Sequence, residues 1–239
     1  TVNEKKALNG INLHLAPGDF VTIIGGNGAG KSTTLNAIAG VWPIDSGKIY
    51  IGGDDVTKLS EHKRAKYLGR VFQDPMTGTA ASMQIEENMA LAARRGLSRT
   101  LKKGISSKER EFYRERLAEL GLGLEDRMTS KVGLLSGGQR QRLTIARAMV
   151  RKPDILILDD SASALDFATD AALRKAIRGM KSSPTLFIVS QRAASLMHAD
   201  KIIVLDDGKV AGIGTHDELL AGCEVYQEIY YSQFKKEAM

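Results

Sequence analysis

A glycine-rich segment near the start of the chain has the residue types and the spacing of a phosphate-binding loop. Residues 25–32 read "GGNGAGKS", which satisfies the pattern G-x-x-x-x-G-K-[ST]. Glycines let backbone N–H groups curve around phosphate oxygens, and a helix that follows adds the partial positive charge of its N-terminus. In this pattern Lys31 reaches the outer phosphates and Ser32 is a ligand for Mg²⁺. The segment therefore predicts the binding of a nucleotide through its phosphates.

Two aspartates end an apolar run later in the chain. The segment "LILDD" (156–160) places Asp159 and Asp160 directly after Leu and Ile residues. Such a run is typical of a strand that is buried on both faces and delivers a carboxylate to a metal–nucleotide site. The pattern predicts that Asp159 lies at such a site, and it leaves the role of Asp160 to be explained.

The elements around the glycine-rich loop are predicted to be a strand and a helix. The apolar stretch "DFVTII" precedes the loop, and a segment with helical spacing follows it and ends at Gly40. Residues 7–15 alternate between apolar and polar side chains, which predicts a half-buried strand, and "GKIYI" (47–51) predicts another. A strand before the loop and a helix after it are the context that the phosphate-binding pattern requires.

The hydrophobic pattern changes in the middle of the chain. From about residue 79 to residue 150 it becomes helical, and after Pro153 buried strands return at "DILILD", "TLFIVS" and "KIIVLD". The sequence therefore predicts an α/β protein with one domain over 1–239. In this prediction residues 1–78 and 151–239 form the α/β core, and residues 79–150 form a helical subdomain.

Composition excludes several classes of protein. With 43% hydrophobic and 26% charged residues, the chain lies in the ordinary globular range and is neither disordered nor fibrous. The longest apolar runs are far shorter than the roughly 20 residues of a membrane-spanning helix, and no signal segment opens the chain. Cys223 is the only cysteine, which excludes an internal disulfide and a cysteine-based zinc site. We therefore expect a cytoplasmic location.

The charge of the chain gives little reason to expect a nucleic-acid partner. The 34 Lys and Arg residues outnumber the 28 Asp and Glu residues, so the net charge is +6, and residues 93–104 are the densest basic group. A basic run is usually a solvated surface, and no aromatic residue interrupts this one. We expect no nucleic acid as partner.

The segment "LLSGGQRQRLTIARAM" (134–149), which comes shortly before the acidic strand, is specific enough to indicate a family. An L-S-G-G-Q motif in this place resembles the signature of ATP-binding cassette (ABC) ATPases, and the resemblance covers essentially the whole chain. It implies a P-loop NTPase core of ABC type, with an antiparallel β subdomain and an α-helical insertion. It also implies ATP and Mg²⁺ as cofactors and a head-to-tail pair of cassettes.

The resemblance assigns roles to the glycine-rich loop and to the signature. The residues that it implies for binding the ATP phosphates are Asn27, Gly28, Ala29, Gly30, Lys31, Ser32 and Thr33. The signature residues that it implies for the partner cassette's nucleotide are Ser136, Gly137, Gly138 and Gln139. At the start of a helix Ser136 and the two glycines offer a hydroxyl and N–H groups to a γ-phosphate. Taken alone, Ser136 also fits a simple N-cap.

Further motifs match the family in order along the chain. Gln73, in "VFQDP", matches the Q-loop residue that contacts Mg²⁺ and the attacking water. Asp159 matches the Walker B aspartate that holds Mg²⁺ through water, and Asp166 matches the D-loop residue at the dimer interface. The metal ligands implied are therefore Ser32, Gln73 and Asp159. Each of these residues also fits an ordinary structural role: Gln73 as a surface amide, Asp159 as an acid at a strand end and Asp166 as a helix N-cap. The three motif matches taken together outweigh these separate roles.

Two positions depart from the family pattern, and both are expected to weaken hydrolysis. The family usually has Glu after the Walker B aspartate, and this chain has Asp160, whose carboxylate lies about 1–1.5 Å further back. A positioned general base is worth about 10²–10⁴ in rate. In place of the family's switch histidine the chain has Gln191, which donates a hydrogen bond but cannot become cationic. The residues implied for catalysis are Asp160, Gln191 and Gln73.

The two ends of the chain resemble different branches of the family. The segment "GGNGAGKSTTLNAIAGVWPIDSGKIYIGG" resembles the ATPase subunits of importer-type transporters. The last hundred residues, with "LILDDSASALD", resemble the degenerate cassette of heterodimeric exporters, which carries this Asp and Gln pair. This suggests the hypothesis of a fusion of two related cassettes, either engineered or natural, joined near the signature helix.

The resemblance implies a cassette that binds MgATP, pairs with a second cassette as a homodimer or heterodimer, and hydrolyses ATP slowly. Its expected role is to drive transmembrane transporter subunits at the inner face of the cell membrane. One alternative is a nucleotide-binding regulatory or structural module without turnover. Another is a soluble ABC protein outside transport, although such proteins usually have tandem cassettes, a long coiled coil or a zinc insertion. The sequence does not indicate which substrate is transported, because in this family the membrane subunits determine substrate specificity.

Overall fold

The computed structural model describes residues 6–72, 74–95, 97, 104–119, 121, 123–159, 175–177, 179, 184–189, 196–197 and 199–237. The chain divides into two compact units. The first unit comprises residues 1–58 and 185–239, and the second comprises residues 59–184.

The described residues form strands and helices with the following bounds. The strands are β1 (Phe20–Gly25), β2 (Tyr50–Ile51), β3 (Asp54–Asp55), β4 (Leu68–Val71), β5 (Ile155–Asp159), β6 (Thr185–Val189), β7 (Lys201–Asp206) and β8 (Lys209–Gly214). The helices are α1 (Lys31–Ala39), α2 (Glu61–Arg64), α3 (Ile85–Ala93), α4 (Ser107–Glu119), α5 (Gly137–Met149), α6 (His216–Gly222) and α7 (Glu224–Glu237). Short 3₁₀ turns lie at Glu125–Arg127 and Val132–Leu134.

A parallel sheet is the centre of the first unit. β1 lies between β6 and β7 and runs parallel to both, with Phe20 opposite Leu186 and Val21 opposite Lys201. β8 pairs with β7 in the antiparallel direction. All six residues of β1 are buried, which explains why the strand is mostly apolar, with Thr22 as its one polar side chain. The strands predicted at "TLFIVS" and "KIIVLD" are confirmed as β6 and β7.

Helices α6 and α7 cover this sheet with an apolar cluster. The buried members of the cluster are Ile24, Leu196, Ile202, Val204, Leu219, Cys223 and Tyr226. Cys223 is a buried free thiol. The cluster anchors the carboxyl-terminal helices on the strands that hold the glycine-rich loop.

A small hairpin is the described part of the predicted antiparallel β subdomain. β2 and β3 pair in the antiparallel direction and are joined by Gly52 (φ 59°) and Gly53 (φ 88°). Two consecutive residues with positive φ make the primed turn that matches the twist of a hairpin. The strand predicted over 47–51 is therefore confined to two residues.

The strand predicted over residues 7–15 is wrong. No residue of this segment belongs to a strand, although the exposure alternates as predicted, with Leu13 half-buried and His14 exposed. The segment is tied to the turn between β7 and β8 by the Asn9 amide, which donates to the carbonyl oxygen of Gly208 at 2.7 Å. An extended segment shows alternating exposure whenever one of its sides packs on the protein. A β-strand additionally needs a neighbouring strand that pairs with its backbone, and no described strand does so for this segment.

The second unit combines a parallel pair of strands with helices. β4 pairs with β5 in the parallel direction, with Leu68 opposite Ile155. Helix α5 packs so closely on β4 that a Cβ at Gly69 would lie 2.7 Å from the carbonyl oxygen of Ala148. The side chains that fill this unit include Ile85, Met89, Tyr113, Leu117, Leu124, Val132, Leu143 and Ile145. Within the described ranges, none of the helices has the length and apolar character needed to cross a bilayer.

Candidate nucleotide-binding site

The glycine-rich loop joins β1 to α1, as predicted, and two of its glycines are required by their surroundings. Gly25 ends β1, and a Cβ there would lie 2.3 Å from the carbonyl oxygen of Leu205 on β7. Gly30 has a φ of 99°, and a Cβ there would lie 2.9 Å from the Leu8 side chain. Gly28 also has a positive φ, but a Cβ there would meet nothing within 4 Å. The loop is therefore packed at its two ends and open at its middle.

The open part of the loop presents donors and a cation. Gly26, Asn27 and Gly28 are exposed. The Lys31 ammonium lies across the loop and donates to the carbonyl oxygens of Gly25 at 2.7 Å and Gly26 at 2.8 Å. Helix α1 begins without a capping side chain and without an acid in its first turn. The positive end of the helix dipole therefore faces the loop without a negative side chain to offset it.

The turn between β7 and β8 supports the loop from behind. The Gly208 amide donates to the carbonyl oxygen of Ala29 at 3.2 Å. Gly208 has a φ of 75°, and a Cβ there would lie 2.7 Å from the carbonyl oxygen of Ala7. Sequence analysis missed this role of Gly208, because "DDG" indicates a turn but not what the turn contacts. The contact fixes the packed end of the glycine-rich loop, at Ala29, to the turn between β7 and β8.

The signature segment forms the start of α5. The Ser136 hydroxyl accepts a hydrogen bond from the Gln139 amide at 3.3 Å, and the Gln139 side chain accepts one from the Ser136 amide at 3.1 Å. This reciprocal capping box shows that Ser136 is an N-cap, the plainer reading of the sequence. The amides of Gly137 and Gly138 belong to the first turn, where a helix offers no internal acceptor. The box therefore orders the helix start and leaves two backbone donors for an anion.

Asp159 ends β5 and is held by a cation that sequence analysis missed. Its Oδ2 atom accepts a hydrogen bond from the Nη2 atom of Arg70, on the paired strand β4, at 3.2 Å. The guanidinium also lies 4.9 Å from the ring centroid of Phe72. The only sequence signal for this role is a charged residue inside an otherwise apolar strand.

Asn88 fixes the segment that follows the predicted Q-loop. This asparagine on α3 is fully buried. Its Nδ2 atom donates to the carbonyl oxygens of Ala80 at 3.1 Å and Gln84 at 3.0 Å, and its Oδ1 atom accepts from the Ala80 amide at 2.9 Å. Sequence analysis missed this residue, although a polar side chain on the buried face of a helix is a detectable signal. The contacts join residues 80–84 to α3.

We expect Asn88→Ala to lower the free energy of unfolding by about 2–4 kcal/mol, because the half-buried backbone groups of Ala80 would lose the donor and the acceptor that Asn88 supplies. Thermal unfolding should shift down by about 5–10 °C for a chain of this size. Glu115→Ala, on the exposed face of α4, is the matched control and should leave the midpoint unchanged. Equal midpoints for Asn88→Ala and the control would contradict a stabilising role for these hydrogen bonds.

The structure brings some of the predicted site residues together and does not describe others. Residues 27–33 form the loop and first turn of α1 in the first unit, with Ser32 exposed. Ser136, Gly137, Gly138, Gln139 and Asp159 belong to the second unit. Gln73, Asp160, Asp166 and Gln191 lie outside the described residues, so their roles stay predictions. The predicted subdomain boundaries stay predictions as well.

The residues of the glycine-rich loop and the start of α1 fit a nucleoside triphosphate with Mg²⁺. Gly26 and Gly28 are exposed, and no protein atom would meet a Cβ on either, so backbone donors can approach phosphate oxygens closely. The Ser32 hydroxyl, which is exposed in the first turn of α1, is a hard oxygen ligand of the kind that Mg²⁺ prefers, and Mg²⁺ sites often combine few protein ligands with phosphates and water. Bound Mg²⁺ would offset the negative charge of the phosphates. Lys31 would hold the outer phosphates.

A P-loop between a parallel strand and a helix, together with an L-S-G-G-Q helix start, defines a nucleotide-binding cassette. The family model described as "ABC transporter" matches residues 8–163. The chain belongs to the ABC transporter family, and its fold is the α/β fold of ABC ATPase cassettes.

Solved structures support the same fold. The dimeric ATP-binding cassette MJ0796, in a post-hydrolysis state with ADP and Pi, is 28% identical with a TM-score of 0.74, over 87% of this chain and 90% of that one. A bacterial Atm1-family ABC exporter with ATP bound is 29% identical with a TM-score of 0.75, over 98% of this chain and 40% of that one.

Curated relatives differ in how much of their length the chain spans. The ABC transporter ATP-binding protein YfiB of Bacillus subtilis is 35% identical over 98% of this chain, which spans 39% of that protein. The multidrug transporter mdr1 of Aspergillus fumigatus is 34% identical, and the chain spans 16% of it. The tyrosine transport ATP-binding protein of Clostridioides difficile is 38% identical over 84% of this chain and 80% of that protein. All three alignments are long enough to cross the signature helix, and the fusion stays a hypothesis.

Proposed function

We propose that this chain binds MgATP at its P-loop, pairs with a second cassette through bound ATP, and hydrolyses ATP slowly to drive transmembrane transporter subunits. The observation that carries the proposal is the geometry of the P-loop. Three exposed residues, an uncapped helix start and the Lys31 ammonium together form a positive, backbone-lined site that suits phosphates.

The proposed roles follow the positions of the residues. Residues 27–33 bind the phosphates, and Ser32, Gln73 and Asp159 hold Mg²⁺. The partner's nucleotide is bound by Ser136, Gly137, Gly138 and Gln139, with Asp166 at the interface between cassettes. The capping box supports the role of Gly137 and Gly138, because it pairs the Gln139 amide with Ser136 and leaves the amides of the two glycines for an anion.

The proposed partners place the chain at a membrane. The second cassette is a copy of this chain or a related chain, and transporter subunits hold the pair at the inner face of the cell membrane. Support comes from relatives whose names describe transporters and from the dimeric cassette structure. The expectation that nucleic acid is not a partner stays a prediction.

The test of the proposed activity combines calorimetry with phosphate release from the purified chain. MgATP binding together with slow release of phosphate supports the proposal. Binding without any release favours the alternative of a nucleotide-binding module without turnover, which the Asp160 and Gln191 substitutions make the second candidate. Absence of MgATP binding contradicts both.

We expect Ser136→Arg to abolish ATP-driven dimers and to leave ATP binding by the monomer intact, because the signature serves the partner's nucleotide. A long cation at this exposed position would block the glycine amides. Size-exclusion chromatography with and without MgATP measures the dimer, and calorimetry measures binding by the monomer.

The substitution also removes an N-cap, which costs about 1 kcal/mol. Thr215→Arg is the matched control, because Thr215 and Glu218 form the same capping box at α6. This control should dimerise normally. Loss of ATP binding by the Ser136→Arg monomer, or dimers that persist in it, would show that the signature does not act on the partner's nucleotide.

A further inference from the structure

Strand β4 carries one charged side chain, and its position is set by the register of the sheet. Arg70 lies opposite Ile157 on β5. Because side chains repeat every second residue on one face of a strand, Asp159 lies on the same face as Arg70 and one step further along. The Nη2 atom of Arg70 and the Oδ2 atom of Asp159 are 3.2 Å apart. The contact is therefore built into the pairing of two strands and does not depend on a loop.

Solvent screens this pair less than it screens the exposed Arg114–Glu111 pair of the same unit. The side chains of Arg70 and Asp159 are 15% and 22% exposed, whereas those of the Arg114–Glu111 pair on α4 are 46% and 58% exposed. Water screens the first pair less, so more of its Coulomb attraction remains. The Phe72 ring, 4.9 Å from the guanidinium, adds a cation–π contact that restrains Arg70.

We propose that Arg70 is a positioning residue that competes with Mg²⁺ for the Asp159 carboxylate and so tunes how much Mg²⁺ nucleotide binding requires. This inference rests on the proposed function, in which Asp159 holds Mg²⁺. A guanidinium on one carboxylate oxygen lowers the negative charge available to a metal ion and repels a dication nearby. Nucleotide phosphates supply negative charge that offsets this repulsion. The ion pair thus raises the Mg²⁺ concentration that the site requires.

The test measures nucleotide affinity against Mg²⁺ concentration, without turnover. A fluorescent ATP analogue is titrated into the chain at a series of Mg²⁺ concentrations. We expect Arg70→Gln, which keeps a hydrogen-bond donor but removes the charge, to lower the half-saturating Mg²⁺ concentration about ten-fold. Arg70→Lys keeps the positive charge on which the competition depends and should stay within about two-fold of the unaltered chain. Arg114→Gln, which removes the same charge from the exposed pair, should show no change.

The outcomes separate this inference from the proposed function. If the unaltered chain does not bind the analogue, the proposed function fails, and the inference fails with it. If it binds and Arg70→Gln needs the same or more Mg²⁺, the inference alone is overturned. An equal fall in Arg70→Lys also overturns it, because charge would not be the cause. Arg70→Met, which keeps the length and the packing on Phe72, replaces Arg70→Gln if that variant does not fold.

Discussion

Replacing Lys31 with alanine is expected to lower the affinity for MgATP about 100-fold, or about 2.7 kcal/mol. The ammonium lies over the mouth of the P-loop, within 2.8 Å of two loop carbonyls, where outer phosphate oxygens would bind. Charge-assisted hydrogen bonds to phosphate are among the strongest that a side chain makes, at about 1.5–3 kcal/mol. The backbone donors of the loop remain, so binding should weaken rather than vanish.

Titration calorimetry with MgATP and with MgADP measures this loss. Lys209→Ala is the matched control, because it removes an exposed lysine from β8 in the same unit and should leave both affinities unchanged. A thermal unfolding curve for Lys31→Ala shows whether the loop itself has been disturbed. Unchanged MgATP affinity in a folded Lys31→Ala variant would rule out this loop as the nucleotide site.

Restoring the usual family residues at the two departing positions is expected to raise turnover cooperatively. Asp160→Glu alone and Gln191→His alone should each raise phosphate release modestly, by about five-fold, because each repair leaves the other defect in the same step. The double variant should exceed the product of the two, well above roughly 25-fold, since residues that act together in one transition state are strongly non-additive. ATP affinity should hardly change, because the main phosphate contacts come from the loop backbone and Lys31.

Steady-state phosphate release at saturating MgATP compares the four proteins. Asp206→Glu, which lengthens another aspartate at the end of a strand, is the matched control and should not change the rate. If the starting protein already turns over as fast as the double variant, Asp160 is a competent base. A double variant that is no faster than the product of the single variants would show that the two residues act in separate steps.

Buried elements were predictable from the sequence because buried positions are occupied mainly by apolar residues. β5 follows from "ILIL" and β1 from "FVTII", since a strand covered on both faces tolerates little but apolar side chains. The end of α1 follows from Gly40, whose φ of 78° needs a residue that accepts the left-handed conformation. The P-loop follows because its glycines and lysine are contiguous in the chain.

Contacts between distant segments were not predictable. Residues 7–15 have the alternation of a strand, but whether a neighbour pairs with them depends on the fold of the rest of the unit. Arg70 and Asp159 are 89 positions apart, and their contact depends on the register of β4 on β5. The Asn88 network depends on where residues 80–84 turn back onto α3. In each case the type of one residue shows that it can form an interaction, but the sequence does not show which distant residue is its partner.

The support of the P-loop by the turn between β7 and β8 has a consequence for engineering this protein as a nucleotide biosensor. Asp207 and Gly208 resemble an ordinary hairpin tip, the usual choice for inserting a reporter domain. Here the tip contacts Ala29 and the segment before β1, so an insertion would distort the binding loop that the sensor needs. The Gly52–Gly53 turn is exposed, and a Cβ on either glycine would meet no atom within 4 Å. We therefore expect a reporter inserted there to disturb the nucleotide site less than one inserted at Gly208.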